Sequence, residues 1–304
     1  VKRGELIAPL FFTQNKDVME LRKAKRSEAT IKMALQGPSG SGKTYSSLLI
    51  ANGLLSDWRK IAIVDTENHS AHLYSHLGNY NVLSLEKPFS PERYIEAISM
   101  CENAGMEVII IDSISHEWEG QGGILDIHGN MVGNSFTNWS KVTPRHNAFV
   151  QKILQSPSHI IGTIRTKQDY VISEKNGKHV PEKVGLKGIT RDGLDYEFTI
   201  VFDLDVRHHA TASKDRTGLF MDKPQFMINN YTGKKIMNWC NPGENKDEII
   251  NQINTAKSVD ELRKIYLAYP LYQKELEERF LYRKNELTAN TKIEEHGANS
   301  SQSL

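Results

Sequence analysis

Cysteine is scarce in this sequence: Cys101 and Cys240 are the only two in 304 residues. Two thiols cannot build a disulfide framework, and the reading is a pair of reduced cysteines in a cytoplasmic protein. Long apolar runs are lacking as well, none nearing the roughly 18–20 residues that a membrane span needs. A short apolar patch at residues 6–12 is followed by no small-residue cleavage site, so no signal peptide is expected. Nor is there a surplus of charge of either sign, since 38 Lys and Arg against 37 Asp and Glu leave +1. That excludes a protein coated in positive charge, and any nucleic-acid contact has to come from a local patch. What the sequence does have is 38% apolar and 25% charged residues. The first figure suffices for a packed core, and the two together exclude global disorder.

Residues 1–30 form a mixed, charged lead. Its basic cluster, Arg22-Lys23-Ala24-Lys25-Arg26, reads as a solvated helix face or as a phosphate-contacting arm. From Ile31 onward short apolar runs recur at residues 31–35, 61–64, 82–85, 108–111, 159–164 and 198–204, each the length of a buried strand. Helical stretches at 43–55, 91–103 and 143–155 lie between them. Strands alternating with helices predict an α/β fold, with a mostly parallel sheet covered on both faces. Past Asn241-Pro242-Gly243 the pattern becomes charged and helix-periodic, with Ile249, Ile253, Leu262, Ile265, Leu276 and Phe280 on apolar faces. The expected organisation is a lead at 1–30, a core at 31–240, a small helical appendage at 241–289 and a disordered polar tail at 290–304.

The most informative stretch is Gly37-Pro38-Ser39-Gly40-Ser41-Gly42-Lys43-Thr44. It fits G-x-x-x-x-G-K-[ST] and sits between a predicted strand and a predicted helix, the context a phosphate-binding loop requires. Glycines let backbone N–H groups turn inward around phosphates, and the helix N-terminus adds partial positive charge. Lys43 is expected to reach the β- and γ-phosphates of ATP, and the Thr44 hydroxyl to ligate Mg²⁺. Tyr45, next along the helix, is grouped with the loop as a nucleotide contact. A second element agrees: the apolar run 108–111 ends in Asp112, placed to hold Mg²⁺ through water. Hydrolysis also needs a group that orients water. Glu67, just past the run at 61–64, is the first candidate; Glu117 and Glu119, shortly after Asp112, are alternatives.

With these residues in view, the chain resembles the RecA-type recombinase ATPases over about residues 31–220. Asp65-Thr66-Glu67 resembles the stretch after that family's second core strand, where the Glu activates water. Ile111-Asp112-Ser113 resembles its second motif, and residues 160–167 its next strand and the start of its DNA-binding loop. Thr163 stands where that family carries an amide sensing the γ-phosphate. The stretch 213–220 resembles a late basic pair, which makes Lys214 and Arg216 candidate cationic fingers reaching a neighbouring subunit's ATP. The resemblance implies a RecA-like P-loop core and ATP hydrolysis with Mg²⁺. It also implies a homo-oligomer with shared sites, and recombination or annealing on single-stranded DNA beside a single-strand-binding protein. The compact length is most similar to phage-borne members, working in the host cytoplasm.

Residues 165–191 fall where that family's DNA loop sits and are locally basic. Tyr170-Val171-Ile172 and the Lys175-Asn176-Gly177-Lys178 turn read as a hairpin. Arg165, Lys167, Lys175 and Lys178 beside Tyr170 suit phosphates and a stacked base, although a solvated hairpin fits the same residues. Residues 120–123, with three glycines, occupy the place of the first DNA loop or form a linker. Two signals are set aside. Thr166-Lys167-Gln168-Asp169 has the spacing of a guanine-reading motif, but Asp112-Ser113-Ile114-Ser115 lacks the glycine a GTPase carries there. His69, His72 and His76 share a face without a carboxylate set and read as solvated. Two further readings stay open: a helicase loader or packaging motor acting on a protein, and a nucleotide switch with little turnover.

Overall fold

A computed structural model describes Ala24 and residues 29–175, 178–241, 246–269, 272–273 and 275–300. The basic cluster of the lead lies outside the described residues, apart from Ala24. The strands are β1 (Lys32–Gly37), β2 (Ile61–Asp65), β3 (Asn81–Ser84), β4 (Val108–Asp112), β5 (His159–Lys175), β6 (Lys178–Gly188), β7 (Ile200–Leu204), β8 (His209–Asp215) and β9 (Phe226–Met227). They form a nine-stranded sheet in the order β3-β2-β4-β5-β1-β7-β8-β9, with β6 paired to β5 off this row. From β3 through β7 every neighbouring pair is parallel; β8 and β9 turn back antiparallel. Each of the six apolar runs of the sequence became a strand of this sheet.

The helices are α1 (Lys43–Leu55), α2 (Pro91–Asn103), α3 (Ser115–Glu119), α4 (Ile124–Gly129), α5 (Ser135–Gln155), α6 (Asn230–Cys240), α7 (Lys246–Thr255), α8 (Val259–Ala268) and α9 (Glu277–Ser300). Side chains alternate across the pleat, so neighbouring strand residues feed two cores. Met33, Leu35, Ile61, Ile63 and Ile110 point to one face, where they pack with Leu48 and Ile50 of α1 and Ile236 of α6. Ala34, Ala62, Val64, Ile109 and Ile111 point to the other, against Tyr94 and Ile98 of α2 and Phe149 and Ile153 of α5. Two glycines let α1 and α6 touch: a Cβ on Gly53 would stand 2.1 Å from the Asn230 carbonyl, and one on Gly233 2.1 Å from the Ile50 carbonyl.

Two differences from the sequence reading have physical causes. The helix expected at 143–155 starts eight residues earlier, because the Asn134 side chain accepts from the Phe136 and Thr137 N–H groups and caps it there. Pro144 then sits inside the helix instead of at its start. At the other end α9 is helical through Ser300, into the stretch expected to be disordered. Extending a nucleated helix costs little, and Lys292, Glu294, Glu295 and Ala298 are good helix formers. The periodic positions of the appendage do converge: Ile249, Ile253, Leu262, Leu276 and Phe280 bury against one another in a third cluster.

Because β1, β2, β4, β5 and β7 run the same way, their C-terminal tips share one edge of the sheet. The loop after β1, the loop after β2, Asp112 and the outer half of β5 all emerge there. Beyond Arg165, β5 leaves the row and pairs with β6 from Thr166↔Gly188 to Lys175↔Lys178. This arm of ten paired positions projects roughly 30 Å from the same edge.

Candidate nucleotide-binding site

The loop from Gly37 to Thr44 closes on itself as the motif demands. Gly40 and Gly42 take φ of 79° and 83°, where a side chain would be strained. The N–H of Ser41 donates to the Pro38 carbonyl at 3.2 Å. A Cβ on Gly37 would stand 2.6 Å from both the Leu204 carbonyl and the Ser41 hydroxyl, so only glycine fits between the loop and β7. The loop borders a cavity of about 800 Å³, lined by Ser39, Gly40, Gly42, Lys43, Thr44 and Tyr45 on this side. Glu67, Asp112 and Arg165 face it from neighbouring strand ends.

Inside this space the sequence-predicted groups meet. The Thr44 hydroxyl donates to Asp112 Oδ2 at 2.6 Å, and the Thr163 hydroxyl to Asp112 Oδ1 at 2.5 Å. Asp112 is 3% exposed, and burial pushes its carboxyl above the usual range while the two hydroxyls pull it back. Thr163, the residue in the sensor position, is thus bound to the carboxylate that faces Thr44. Lys43 Nζ donates to the carbonyls of Gly37 and Pro38, both at 2.9 Å. Burial lowers its pKa, against the opposing charges of Asp112 and Glu67.

The donor set fits a magnesium nucleotide. Hydroxyl and carboxylate oxygens converge, as a hard divalent cation requires, a lysine stands beside an inward-turned glycine loop, and the Ser41 hydroxyl is buried without a partner. Tyr45 forms one wall with Tyr74, ring centroids 5.9 Å apart and tilted by 59°. Met227, Ile228 and His208 also line the cavity. The sequence does not mark Tyr74, His208 or Met227 as site residues, since none of them sits in a motif. The β7–β8 turn delivers His208 to the cavity.

The loop after β2 is built to present Glu67. The buried Asp65 carboxylate accepts from the N–H of Glu67 at 2.7 Å and of Ala71 at 2.9 Å. The Thr66 N–H donates to the Asp112 carbonyl at 2.8 Å, and the Thr66 hydroxyl accepts from the Ser113 N–H at 2.8 Å, binding the tips of β2 and β4 together. The Glu67 carboxylate then meets Arg165 in a forked pair, Nε on Oε1 at 2.8 Å and Nη2 on Oε2.

That contact bears on one sequence assignment. Arg165 was grouped with the nucleic-acid residues, but its pairing opposite Gly37 puts it beside the phosphate loop, with its guanidinium on Glu67. Of that group Lys167 is exposed at the base of the arm. The backbones of Tyr170, Lys175 and Lys178 lie in the β5–β6 hairpin, as expected, while their side chains lie outside the described residues.

Glu117 is corrected. It is fully buried on α3, both carboxylate oxygens 3.1 Å from His146 Nδ1, and does not line the cavity. Burial raises its pKa. Glu119, two residues on, does line the cavity. The residues at 120–123 form a packed turn: Phe89 N–H donates to the Gln121 carbonyl at 2.8 Å, and a Cβ on Gly122 would stand 2.3 Å from Pro88.

Lys214 and Arg216 are not brought to the cavity of their own chain. Asp215 pairs with Ile200 and Ile200 with Met33, so both cations lie at the N-terminal edge of β7, opposite the phosphate loop. There Lys214 Nζ donates to the carbonyls of Asp195 (3.3 Å) and Tyr196, and Arg216 Nη2 to that of Tyr196 at 3.4 Å.

Among the described residues no helix is long and apolar enough to cross a membrane. No curated protein matches the sequence. A family model described as an AAA domain does match, over residues 29–239, a span that runs from just before β1 to the end of α6. Together with the phosphate loop, the magnesium-type donor set and the parallel sheet, this match shows that the chain belongs to the AAA domain family of P-loop ATPases.

Proposed function

We propose that this chain is a Mg²⁺-dependent ATPase, converting ATP to ADP and phosphate, whose cycle acts on single-stranded DNA in recombination or annealing. The observation that carries the ATPase reading is the convergence of Lys43, Thr44, Asp112 and Glu67 on one cavity of about 800 Å³. Thr44 and Asp112 would hold the magnesium ion, which when bound neutralises phosphate charge. Loop amides and the Lys43 ammonium bind and orient the triphosphate, and they stabilise charge as the terminal phosphoryl departs. Glu67, held in place by Asp65, accepts a proton from the attacking water once its carboxylate is released from Arg165.

The single-strand reading is supported by the arm that β5 and β6 build. It starts at Thr166, next to Arg165, and its sequence carries Lys167, Tyr170, Lys175 and Lys178. An event on the arm is therefore one peptide bond from the residue that holds Glu67. Assembly into an oligomer would be needed for Lys214 and Arg216 to meet a phosphate, since each faces away from its own loop.

The test is ATP turnover with and without a single-stranded oligonucleotide at low salt. Stimulation is expected. A chain that hydrolyses ATP yet neither binds nor responds to the strand would instead be a motor or loader acting on a protein. A chain with no affinity for any magnesium nucleotide would end the ATPase reading itself.

A further inference from the structure

Beside the nucleotide cavity lies a second hollow of about 560 Å³, sharing Glu119 and Ile189 with it. One wall is aromatic. Trp118 of α3 and Trp139 of α5 stack with centroids 5.9 Å apart and 21° between planes. His128 of α4, which does not line the hollow, stacks on Trp139 at 4.1 Å. The facing wall is the base of the β5–β6 arm and the turn after it, with Lys167, Lys187 and Arg191. Two acidic groups, Glu119 and Asp192, also line the hollow, and Asp192 pairs with Lys187 at 2.7 Å. Lys167 and Arg191 are the remaining cations.

Three polar atoms in this region are buried with no hydrogen-bond partner: Nη1 of Arg191, Oγ1 of Thr190 and Oγ1 of Thr166. Buried polar groups without partners are costly and uncommon, and each calls for an explanation such as a bound water, ion or ligand group. Arg191 and Thr190 line this hollow, and Thr166 lines the adjoining cavity next to Lys167.

The geometry points to this hollow as the seat of one or two nucleotides of a single strand, with a base against Trp118 and Trp139 and its phosphate on Lys167 and Arg191. The inference rests on the single-strand reading above and locates it on residues outside the arm's tip. Flat apolar rings and separated cations match the two parts of a nucleotide whose base is not paired. An acidic peptide would use the cations and leave the indoles idle. A duplex hides its base faces from such a wall.

The experiment uses the full chain and a dT oligonucleotide, followed through tryptophan fluorescence and anisotropy of a labelled strand, with a fluorescent ATP analogue as the check on folding. Trp118→Ala and Trp139→Ala are each expected to weaken strand binding about tenfold, with the analogue still bound. Trp118→Phe and Trp139→Phe should retain most of the affinity, and Trp58→Phe should leave it unchanged. Should a tryptophan variant fail to fold, exposed Lys167→Gln serves in its place: the salt slope of log affinity should fall by about 0.7. Wild-type affinity in both alanine variants, or an unchanged slope in Lys167→Gln, overturns the assignment of this hollow and leaves the single-strand reading intact. A wild-type chain that binds no oligonucleotide overturns both.

Discussion

The two edges of the parallel sheet carry similar residues for different ends. At the C-terminal edge Lys43, Arg165, Asp112 and Glu67 converge on an open cavity. At the N-terminal edge Lys32, His159, Lys214 and Arg216 are tied to main-chain groups. Lys32 Nζ donates to the carbonyls of Ser156 (2.6 Å) and Ser158 (2.5 Å), and burial lowers its pKa to about 8. His159 Nδ1 accepts from the Ile31 N–H at 3.0 Å. Lys43 also donates to the carbonyls of Gly37 and Pro38, but only at the C-terminal edge do such groups also face an open cavity; at the other they close loops. Residue type does not separate the two cases, but strand direction does.

The comparison predicts that substitutions at the first edge change chemistry and those at the second change stability. The largest effect should come from Glu67→Gln. Loss of a general base costs about 10²–10⁴ in rate, so turnover should fall by at least a hundredfold while a fluorescent ATP analogue still binds. Near-normal turnover would transfer the role to another carboxylate, with Glu119 the one that also faces the cavity. Lys43→Ala should act on binding instead. Hydrogen bonds to charged groups contribute about 1.5–3 kcal/mol, so affinity for the analogue should drop ten- to hundredfold.

His159 tests the opposite edge. Burial lowers its pKa to about 4, with the Lys32 charge acting in the same direction. A histidine whose folded pKa lies below its unfolded value near 6.5 stays neutral in the native state while the unfolded chain takes up a proton. Its contribution is therefore full above pH 6.5 and is lost as pH falls towards 4. The loss is about 2 kcal/mol by pH 5 and about 3 kcal/mol near pH 4, at 1.36 kcal/mol per pH unit. Protonation would also remove the acceptor that Ile31 uses. Urea unfolding at pH 7 and pH 5 should show a smaller pH dependence in His159→Asn, whose side-chain oxygen can still accept from Ile31. An unchanged dependence would clear His159 of any role in acid sensitivity.

These two edges also mark how far the sequence could be read. The phosphate loop, Asp112 and Glu67 are legible because each follows an apolar run directly, and parallel pairing must bring the ends of such runs together. Tyr74, His208 and Met227 were not legible, because a 3-10 helix over Ser70–Leu77, a turn and an antiparallel addition place them, and no spacing in the chain encodes those. Arg165 is a subtler case. Its neighbours Thr166 and Lys167 begin the arm, and only the pairing of Arg165 with Gly37 shows that it still belongs to the sheet. Lys214 and Arg216 were read from a resemblance as fingers towards a neighbouring subunit's ATP, and their place at the N-terminal edge of β7 is open to that reach without testing it.

A smaller effect is expected from Arg165→Gln. The forked pair with Glu67 is partly exposed, with side chains 39% and 23% accessible, so about 0.2–1 kcal/mol is a fair value. Releasing the carboxylate should raise turnover without DNA by up to about fivefold and reduce stimulation by a single strand correspondingly. A hundredfold fall would show instead that Arg165 itself stabilises charge on the transferring phosphate.

The smallest effect, and the sharpest test of the comparison, concerns Lys214→Ala combined with Arg216→Ala. If these cations only close the turn at Leu194–Tyr196, the double variant loses hydrogen bonds to the carbonyls of Asp195 and Tyr196 at a largely solvated surface. Such bonds are modest in water-exposed settings, so the cost in urea unfolding should be on the order of 1 kcal/mol. Turnover per chain should stay within about twofold of wild type at every protein concentration. A loss of turnover that deepens as the chain is concentrated would break the division between the edges, because it would require the N-terminal edge of one copy to face the phosphate loop of the next. In that case the same two side chains would serve as turn closers in a lone chain and as phosphate ligands in an assembly, and the sheet would carry chemistry at both ends.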